Sequence, residues 1–207
     1  MSGLFITFEG GEGTGKSTQI RRLAARIAAS GRAVVTTREP GGSEGGESIR
    51  SLLVSGDPGR WSPEAEALLN YAARDSHLHT LVRPALAKDC IVICDRFMDS
   101  SRAYQGYAGG CDLKLIDGLD FAIVGATRPA LTLVFDLDPV NGLARAKARG
   151  GAVEDRFERK GLPFHQNIRA GFLTIAAADP ARCKVIDASR GEEDVADAIW
   201  AHVAPWL

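Results

Sequence analysis

The feature that most constrains the fold is a glycine-rich loop near the amino terminus. Residues 10–18 read Gly-Gly-Glu-Gly-Thr-Gly-Lys-Ser-Thr, which has the spacing G-x-x-x-x-G-K-[ST] of loops that wrap nucleotide phosphates. Glycines lack a Cβ, so the backbone can approach a polyphosphate and point its N–H groups at anionic oxygens. The residues predicted to bind the phosphoryl donor here are Gly10, Gly11, Glu12, Gly13, Thr14, Gly15, Lys16, Ser17 and Thr18.

The sequence around this loop has the required strand-loop-helix order. Residues 4–8 are apolar and β-rich, and apolar residues then recur at helical spacing from Ile20 to Ala28. Strand and helix signals continue to alternate, which indicates an α/β fold with a parallel sheet covered by helices on both faces. We predict one domain over residues 1–207 with five strands, at about 3–9, 33–37, 91–94, 131–135 and 183–187.

Helices are predicted between these strands and after the last one. A helix from Pro63 to about His79 is expected to turn Ala65, Leu68, Leu69 and Ala72 inward, and a new helix is expected to start near Pro84. The other predicted helices cover residues 43–55, 98–107, 112–125, 163–178 and a terminal segment around 195–203.

Composition excludes several broad classes of function. The net charge of −1 gives no support for bulk attraction to nucleic acid or membranes. The amino terminus does not resemble a signal peptide, and no apolar run approaches the roughly 18 residues that span a bilayer. The four cysteines show no CxxC spacing, so a zinc site or disulfide framework is not expected, and a reducing cytoplasm fits best.

Charged residues follow several predicted strands, where a parallel sheet of this kind binds its ligands. Asp95 and Arg96 end the third strand, where a carboxylate could help organise Mg²⁺ and a guanidinium could bind phosphate. Arg38 follows the second strand in a glycine-containing loop and could grip a second anionic substrate. A basic segment at about 147–161 could close over phosphates as a lid, although it could equally be a solvated charge run.

Six motifs occur in an order that resembles the bacterial thymidylate kinase family, within the nucleoside monophosphate kinases. They are residues 10–18, Thr37–Gly42 (Thr-Arg-Glu-Pro-Gly-Gly), Tyr71–Arg74 (Tyr-Ala-Ala-Arg), Asp95-Arg96, Ser100–Gly106 (Ser-Ser-Arg-Ala-Tyr-Gln-Gly) and Asp155–Glu158 (Asp-Arg-Phe-Glu). The resemblance implies a P-loop kinase fold, transfer of phosphate from ATP to dTMP with Mg²⁺, and a homodimer.

The resemblance also implies roles for single residues on the acceptor side. Glu12 would contact the 3′-hydroxyl of the acceptor sugar, and Tyr104 would pack under the deoxyribose. Arg38 and Arg96 would hold the acceptor phosphate. Arg74 and Ser101 would reach the edge of the thymine, and Asn70 and Gln105 are further residues expected to bind the acceptor.

On the donor side the resemblance implies that Arg145 stacks on the adenine and that Ala188 lies beside it. Ser17 and Asp95 would serve the Mg²⁺, and Lys16, Asp95 and Arg96 would act in catalysis. Some family members carry an arginine in the phosphate loop, where this chain has Gly13, so Arg149 and Arg156 of the lid are the expected catalytic cations.

One position departs from the family pattern. The family usually has a phenylalanine that stacks on thymine where this chain has Asn70. Tyr71 cannot replace it, because neighbouring helix residues point about 100° apart. Another monophosphate or deoxynucleoside kinase therefore remains an alternative. A GTP-driven switch is more remote, because its Asp-x-x-Gly and Asn-Lys-x-Asp motifs are absent from the sequence.

Overall fold

The computed structural model describes residues 3–148 and 156–207. Five strands form one sheet, in which every neighbouring pair is parallel and the spatial order is β2-β3-β1-β4-β5. The strands are β1 (Phe5–Gly10), β2 (Val34–Arg38), β3 (Ile91–Asp95), β4 (Leu131–Asp136) and β5 (Cys183–Asp187). The predicted five-stranded parallel sheet is confirmed, with each strand within two residues of its expected bounds.

Helices connect the strands and cover both faces. They are α1 (Lys16–Ala29), α2 (Glu44–Val54), α3 (Pro63–His77), α4 (Arg83–Ala87), α5 (Met98–Ser101), α6 (Leu113–Leu119), α7 (Pro139–Ala148), α8 (Leu162–Ala178) and α9 (Glu192–Val203). Three π-helical segments continue α3, α5 and α6, over Leu78–Val82, Arg102–Tyr107 and Asp120–Val124. None of the described helices is long and apolar enough to cross a membrane.

Local sequence explains where α2 and α3 begin. The hydroxyl of Ser43 accepts a hydrogen bond from the Gly46 N–H at 3.1 Å, and that of Ser62 accepts one from the Ala65 N–H at 3.2 Å. Each such cap stabilises a helix by about 1 kcal/mol. Pro63 then occupies the first turn of α3, where its missing N–H costs nothing.

The core lies on both faces of the sheet because side chains alternate along each strand. Ile6 and Phe8 of β1 pack on the face covered by α1 and α9, whereas Phe5 packs on the face covered by α3 and α6. A third cluster joins α8 to the π-helical segment after α5. Because all five strands are parallel, every loop that follows a strand lies at the same carboxyl end of the sheet.

One helix prediction needs correction. Leu68 is 51% exposed and Ala72 is exposed, so the predicted inward face of α3 is wrong. The helix instead buries Ala67, Tyr71 and Arg74. The polar ends of the last two have partners, because the Tyr71 hydroxyl donates to Asp120 and the Arg74 guanidinium donates to Ser101. The helix start predicted near Pro84 is confirmed, since α4 begins at Arg83, and α4 continues α3 through its π-helical segment.

Candidate active site

The glycine-rich loop joins β1 to α1 at the middle of the sheet. The buried ammonium of Lys16 donates to the carbonyls of Gly10 and Gly11 at 3.2 and 2.9 Å, and it lies 3.3 Å from Thr14 Oγ1. Burial and the nearby Arg96 lower the pKa of Lys16 to about 8, although neighbouring carboxylates oppose the shift. Phosphate oxygens would favour its charged form.

The structure gives a steric reason for the glycine at position 13. A Cβ built on Gly13 would lie 2.0 Å from the carbonyl oxygen of Gly142 in α7, and Gly13 has φ +68°. A Cβ on Gly142 would in turn lie 2.4 Å from the Glu12 carbonyl oxygen. The loop and α7 therefore meet backbone to backbone, which excludes an arginine in the loop without a shift of α7.

Two oxygen donors meet beside the loop where Mg²⁺ would be expected. Ser17 Oγ donates to Asp95 Oδ2 at 3.2 Å, and Asp95 Oδ1 is buried without a hydrogen-bond partner among the described residues. Mg²⁺ prefers oxygen ligands and commonly takes only one or two carboxylates plus phosphate oxygens and waters. The donor set fits this ion, and the described residues hold no larger cluster of metal-binding side chains.

Arg96 lies at the centre of the cleft. Its guanidinium donates to the Gly10 carbonyl and to Glu12 Oε1, both at 2.8 Å, and it stacks over the ring of Tyr104. The Tyr104 hydroxyl donates to the same Glu12 oxygen at 2.8 Å. Burial acts to raise the pKa of Glu12, but Arg96 and Lys16 outweigh it and lower the pKa to about 2.

Arg74 lies in a second, deeper part of the cleft and is almost fully buried. Its Nε donates to Glu39 Oε2 at 2.7 Å, and its Nη2 donates to the Phe97 carbonyl and to Ser101 Oγ at 2.9 and 3.1 Å. Its Nη1 has no partner among the described residues. Arg74 thus keeps one buried donor without a partner beside the cavity that it lines.

Asn70 and Gln105 line this same cavity. Asn70 Nδ2 donates to the Glu66 carbonyl at 2.8 Å, and Gln105 Nε2 donates to the Glu66 carboxylate at 2.9 Å. Each amide keeps its oxygen as an acceptor. Position 70 carries no aromatic ring, and the aromatic residues that line this cavity are Phe97, Tyr104 and Phe157.

Two adjoining cavities make up the cleft. One has a volume of about 600 Å³ and is lined by the phosphate loop with Arg38 and Asp95. The other has about 700 Å³ and is lined by the groups around Arg74. Glu12, Glu39, Arg50 and Arg96 line both cavities. A ligand with an anionic end and a flat polar end could therefore span them.

Arg38 enters the phosphate cavity from the end of β2. Its Nη2 donates to Glu47 Oε2 at 2.9 Å, and Glu47 Oε1 accepts from the Gly42 N–H at 2.9 Å. Arg38 remains half-exposed, so it can turn towards an anion in the cavity.

The predicted adenine residues also come together. Arg145, on the exposed side of α7, donates to the carbonyl of Ala188 after β5 at 3.3 Å. The pair therefore joins α7 to the loop that follows β5.

The lid residues are the exception. Arg149 lies outside the described residues. The structure contradicts the predicted placement of Arg156: its buried guanidinium donates to the carbonyls of Leu53, Asp57 and Pro58 and pairs with Glu66 at 2.6 Å. All its nitrogens are thereby engaged at the end of α2, because that helix end leaves carbonyls that need donors.

Sequence reasoning missed several residues that shape the cleft. Glu39 holds Arg74 and His77, while Glu66 holds Gln105 and Arg156. Arg50 lines both cavities. Glu39 belongs to the Thr37–Gly42 motif, so its charge between Arg38 and Pro40 could have identified it from the sequence. Glu66 carried no signal beyond its place in an apolar helix.

Comparisons with known proteins agree on one family. A family model described as thymidylate kinase matches residues 8–199. A thymidylate kinase of Caulobacter vibrioides is 56% identical over 197 residues, covering 95% of this chain and 94% of that protein. One of Bradyrhizobium diazoefficiens is 50% identical over 200 residues, covering 96% and 88%. A crystal structure of thymidylate kinase from Ehrlichia chaffeensis superposes with a TM-score of 0.78 at 33% identity, covering 98% of this chain and 99% of that one.

Proposed function

The chain belongs to the thymidylate kinase family and phosphorylates dTMP to dTDP with ATP, and from this premise we propose how its own residues carry the reaction. The observation that supports the assignment is the pair of adjoining cavities that share Glu12 and Arg96. The phosphate cavity takes the γ-phosphate of ATP, and the deeper cavity takes the nucleoside of dTMP.

On the acceptor side, Arg74 and Ser101 bind the edge of the thymine, with Asn70 and Gln105 beside them. Tyr104 packs against the deoxyribose, and the Glu12 carboxylate, which stays ionised at neutral pH, accepts from the 3′-hydroxyl. Arg38 and Arg96 bind the dTMP phosphate.

An oxygen of the dTMP phosphate attacks the γ-phosphorus of ATP, and the bond from that phosphorus to the β–γ bridging oxygen breaks. No general base is required because the attacking oxygen is already ionised. Lys16 and the N–H groups of residues 10–18 hold the β- and γ-phosphates, while Arg96 holds the acceptor in line. Their charges offset the negative charge that spreads over the transferring group.

Ser17 and Asp95 would hold Mg²⁺, which would supply further neutralisation of the negative charge on the phosphates. Arg145 and Ala188 border the adenine. The proposed single domain, residues 1–207, keeps a lid at about 147–161, from which Arg149 is the remaining candidate for a catalytic cation. Arg156 instead donates to carbonyls at the end of α2 and pairs with Glu66.

The test is a coupled assay of ADP release with ATP, dTMP and Mg²⁺. Lys16→Ala and Arg96→Ala are expected to lower kcat/KM at least about 100-fold, since each removes a charge that faces the transferred phosphate. Arg26→Ala is the matched control, because this α1 arginine lies over Trp200 between α1 and α9. Substantial turnover by a folded Lys16→Ala protein would contradict the mechanism, and retained turnover in excess EDTA would contradict the role of Mg²⁺.

We also infer a homodimer that forms through α3 and the segment after α6. Leu68 is 51% exposed and Phe121 is 85% exposed on these two packed segments. In sedimentation experiments Phe121→Ser is expected to shift the protein towards monomer. Val140→Ser, which changes another exposed apolar residue (56%) on α7, is expected to leave the dimer intact. A monomeric unmutated protein at micromolar concentration would refute the inference.

A cytoplasmic location is the last part of the proposal. Cys90, Cys94, Cys111 and Cys183 are all free thiols, as in proteins of a reducing compartment. Recovery of the protein in a periplasmic or membrane fraction would contradict this location.

A further inference from the structure

Glu66 is a buried carboxylate in α3 that the reaction does not use. Its oxygens accept from Arg156 Nη2 at 2.6 Å, from Lys160 Nζ at 3.3 Å and from Gln105 Nε2 at 2.9 Å. All three of these neighbours donate to it, two of them cations, so its oxygens act as hydrogen-bond acceptors.

An amide beside an obligatory acceptor has only one acceptable orientation. Gln105 must turn its NH₂ group towards Glu66. In the opposite orientation its amide oxygen would face a carboxylate oxygen, and two acceptors would meet with no proton between them. The amide oxygen accepts no hydrogen bond from the described residues, and Gln105 lines the cavity assigned above to the thymidine. The carboxylate thus fixes an acceptor on the cavity wall.

Arg74, a donor whose buried Nη1 has no hydrogen-bond partner among the described residues, also lines this cavity. A donor and an acceptor together match the edge of thymine or uracil, which carries the O4 acceptor and the N3–H donor. Cytosine presents the reverse, an N4 amino donor and an N3 acceptor. The wall therefore favours the two bases with a 4-oxo group.

We propose that Glu66 is a positioning residue that sets base specificity by fixing the amide orientation of Gln105. The proposal rests on the proposed function, since it takes the deeper cavity as the dTMP site. Glu66 touches no substrate and acts only through Gln105.

Glu66→Gln tests the proposal sharply because Arg156 dictates how the new amide is oriented. Arg156 Nη2 needs an acceptor, so the amide oxygen at position 66 would face Arg156 and its NH₂ would face Gln105. Gln105 would then turn its oxygen towards position 66 and its NH₂ into the cavity. A donor would replace the acceptor on the wall.

The measurement is kcat/KM for dTMP, dUMP and dCMP, with the inhibition constant of dCMP used where its turnover is too slow. Glu66→Gln is expected to lower the preference for dTMP over dCMP roughly 10- to 100-fold. The ratio of dTMP to dUMP is expected to stay within about twofold, because the two bases share the same polar edge. A merely structural role would lower all three values together.

Two further variants keep the test decisive. Lys160→Met removes one cation from Glu66 without touching Gln105 and is expected to leave the dTMP to dCMP ratio unchanged. Gln105→Met keeps Glu66 and Arg156 in place, so it answers the question even where Glu66→Gln does not fold, and it is expected to lower the same ratio.

An unchanged dTMP to dCMP ratio in a folded, active Glu66→Gln or Gln105→Met protein overturns the proposal. This outcome is distinct from failure of the proposed function, which would show as dTMP turnover that survives Lys16→Ala and Arg96→Ala.

Discussion

A buried glutamate next to the phosphate loop should give the protein an unusual dependence of stability on pH. Glu9 ends the apolar part of β1 and is fully buried. Its Oε1 accepts from the N–H groups of Phe97 and Ser100 at 2.8 and 3.3 Å, and its Oε2 accepts from the Ser100 hydroxyl at 2.5 Å. These bonds hold the segment between Arg96 and Ser101, two residues that we propose bind the acceptor.

Burial is the main cause that raises the pKa of Glu9 to about 7, and the neighbouring carboxylate of Asp99 adds to it. Hydrogen bonds from Ser100 and Phe97 and the charge of Arg96 oppose the shift without cancelling it. The ordinary value is 4.5. The folded state therefore binds this proton more tightly than the unfolded chain between these two pH values.

The sign and the size follow from this difference. The stabilisation is fully present below about pH 4.5 and is lost as the pH rises through 7, since the unfolded chain then releases its proton at no cost. Each pKa unit corresponds to about 1.4 kcal/mol, so Glu9 alone should remove about 2–3 kcal/mol from the free energy of unfolding between pH 5 and pH 8.

The substitution Glu9→Gln isolates this contribution, because glutamine keeps an acceptor for Phe97 and lets the Ser100 hydroxyl accept instead of donate. Urea unfolding from pH 5 to pH 8 measures the free energy for both proteins. As the pH rises from 5 to 8, the free energy of unfolding of the variant should increase by about 2–3 kcal/mol relative to that of the unmutated protein. Glu64→Gln, at an exposed position of α3, is the control and should show no such trend. If the free energies of unfolding of Glu9→Gln and the unmutated protein differ by an amount that stays constant within about 0.5 kcal/mol from pH 5 to pH 8, the reasoning is refuted.

Two further predictions concern the cleft and its frame. Asn70→Phe should lower the KM for dTMP about tenfold, because a ring in the cavity could stack on the base for roughly 1–3 kcal/mol; an unchanged or higher KM would count against a missing stack. Arg156→Ala should lower the free energy of unfolding by about 3–5 kcal/mol, because it leaves Lys160 as the only cation that pairs with the buried Glu66 among the described residues. In the same urea titration Arg190→Ala, which breaks an exposed pair with Asp194, should cost less than about 1 kcal/mol, and equal losses would contradict the buried role of Arg156.

Much of the fold could be predicted because its signals are local. The phosphate loop requires a strand before it and a helix after it, and apolar runs that end in charged residues marked β3 and β4. The inward face of α3 could not be predicted, because Leu68 and Ala67 are both apolar and only packing decides which one is buried. Apolar character alone does not distinguish the buried face of a helix from an exposed apolar face.

The site was predictable where a residue's role depends on its place at a strand end. Asp95, Arg96 and Lys16 lie where the sequence placed them. Arg156 was not predictable in the same way, since a charge run does not reveal that a helix end across the cleft lacks donors for its carbonyls. The rival interpretations, a related kinase or a GTP switch, needed the family comparison for their exclusion.

The strand order has a consequence for how the chain is made. Of the five strands in the sheet β1 is synthesised first, yet it lies in the middle of the sheet between β3 and β4. About 80 residues separate the end of β1 from the start of β3. At a synthesis rate of roughly 5–20 residues per second, β3 emerges roughly 4–16 s after β1, and β1 has no neighbouring strand until then. During this interval Phe5–Gly10 has unpaired backbone groups on both sides. Because an unpaired strand edge can pair with other chains, this is the segment that a chaperone at the ribosome would be most expected to cover.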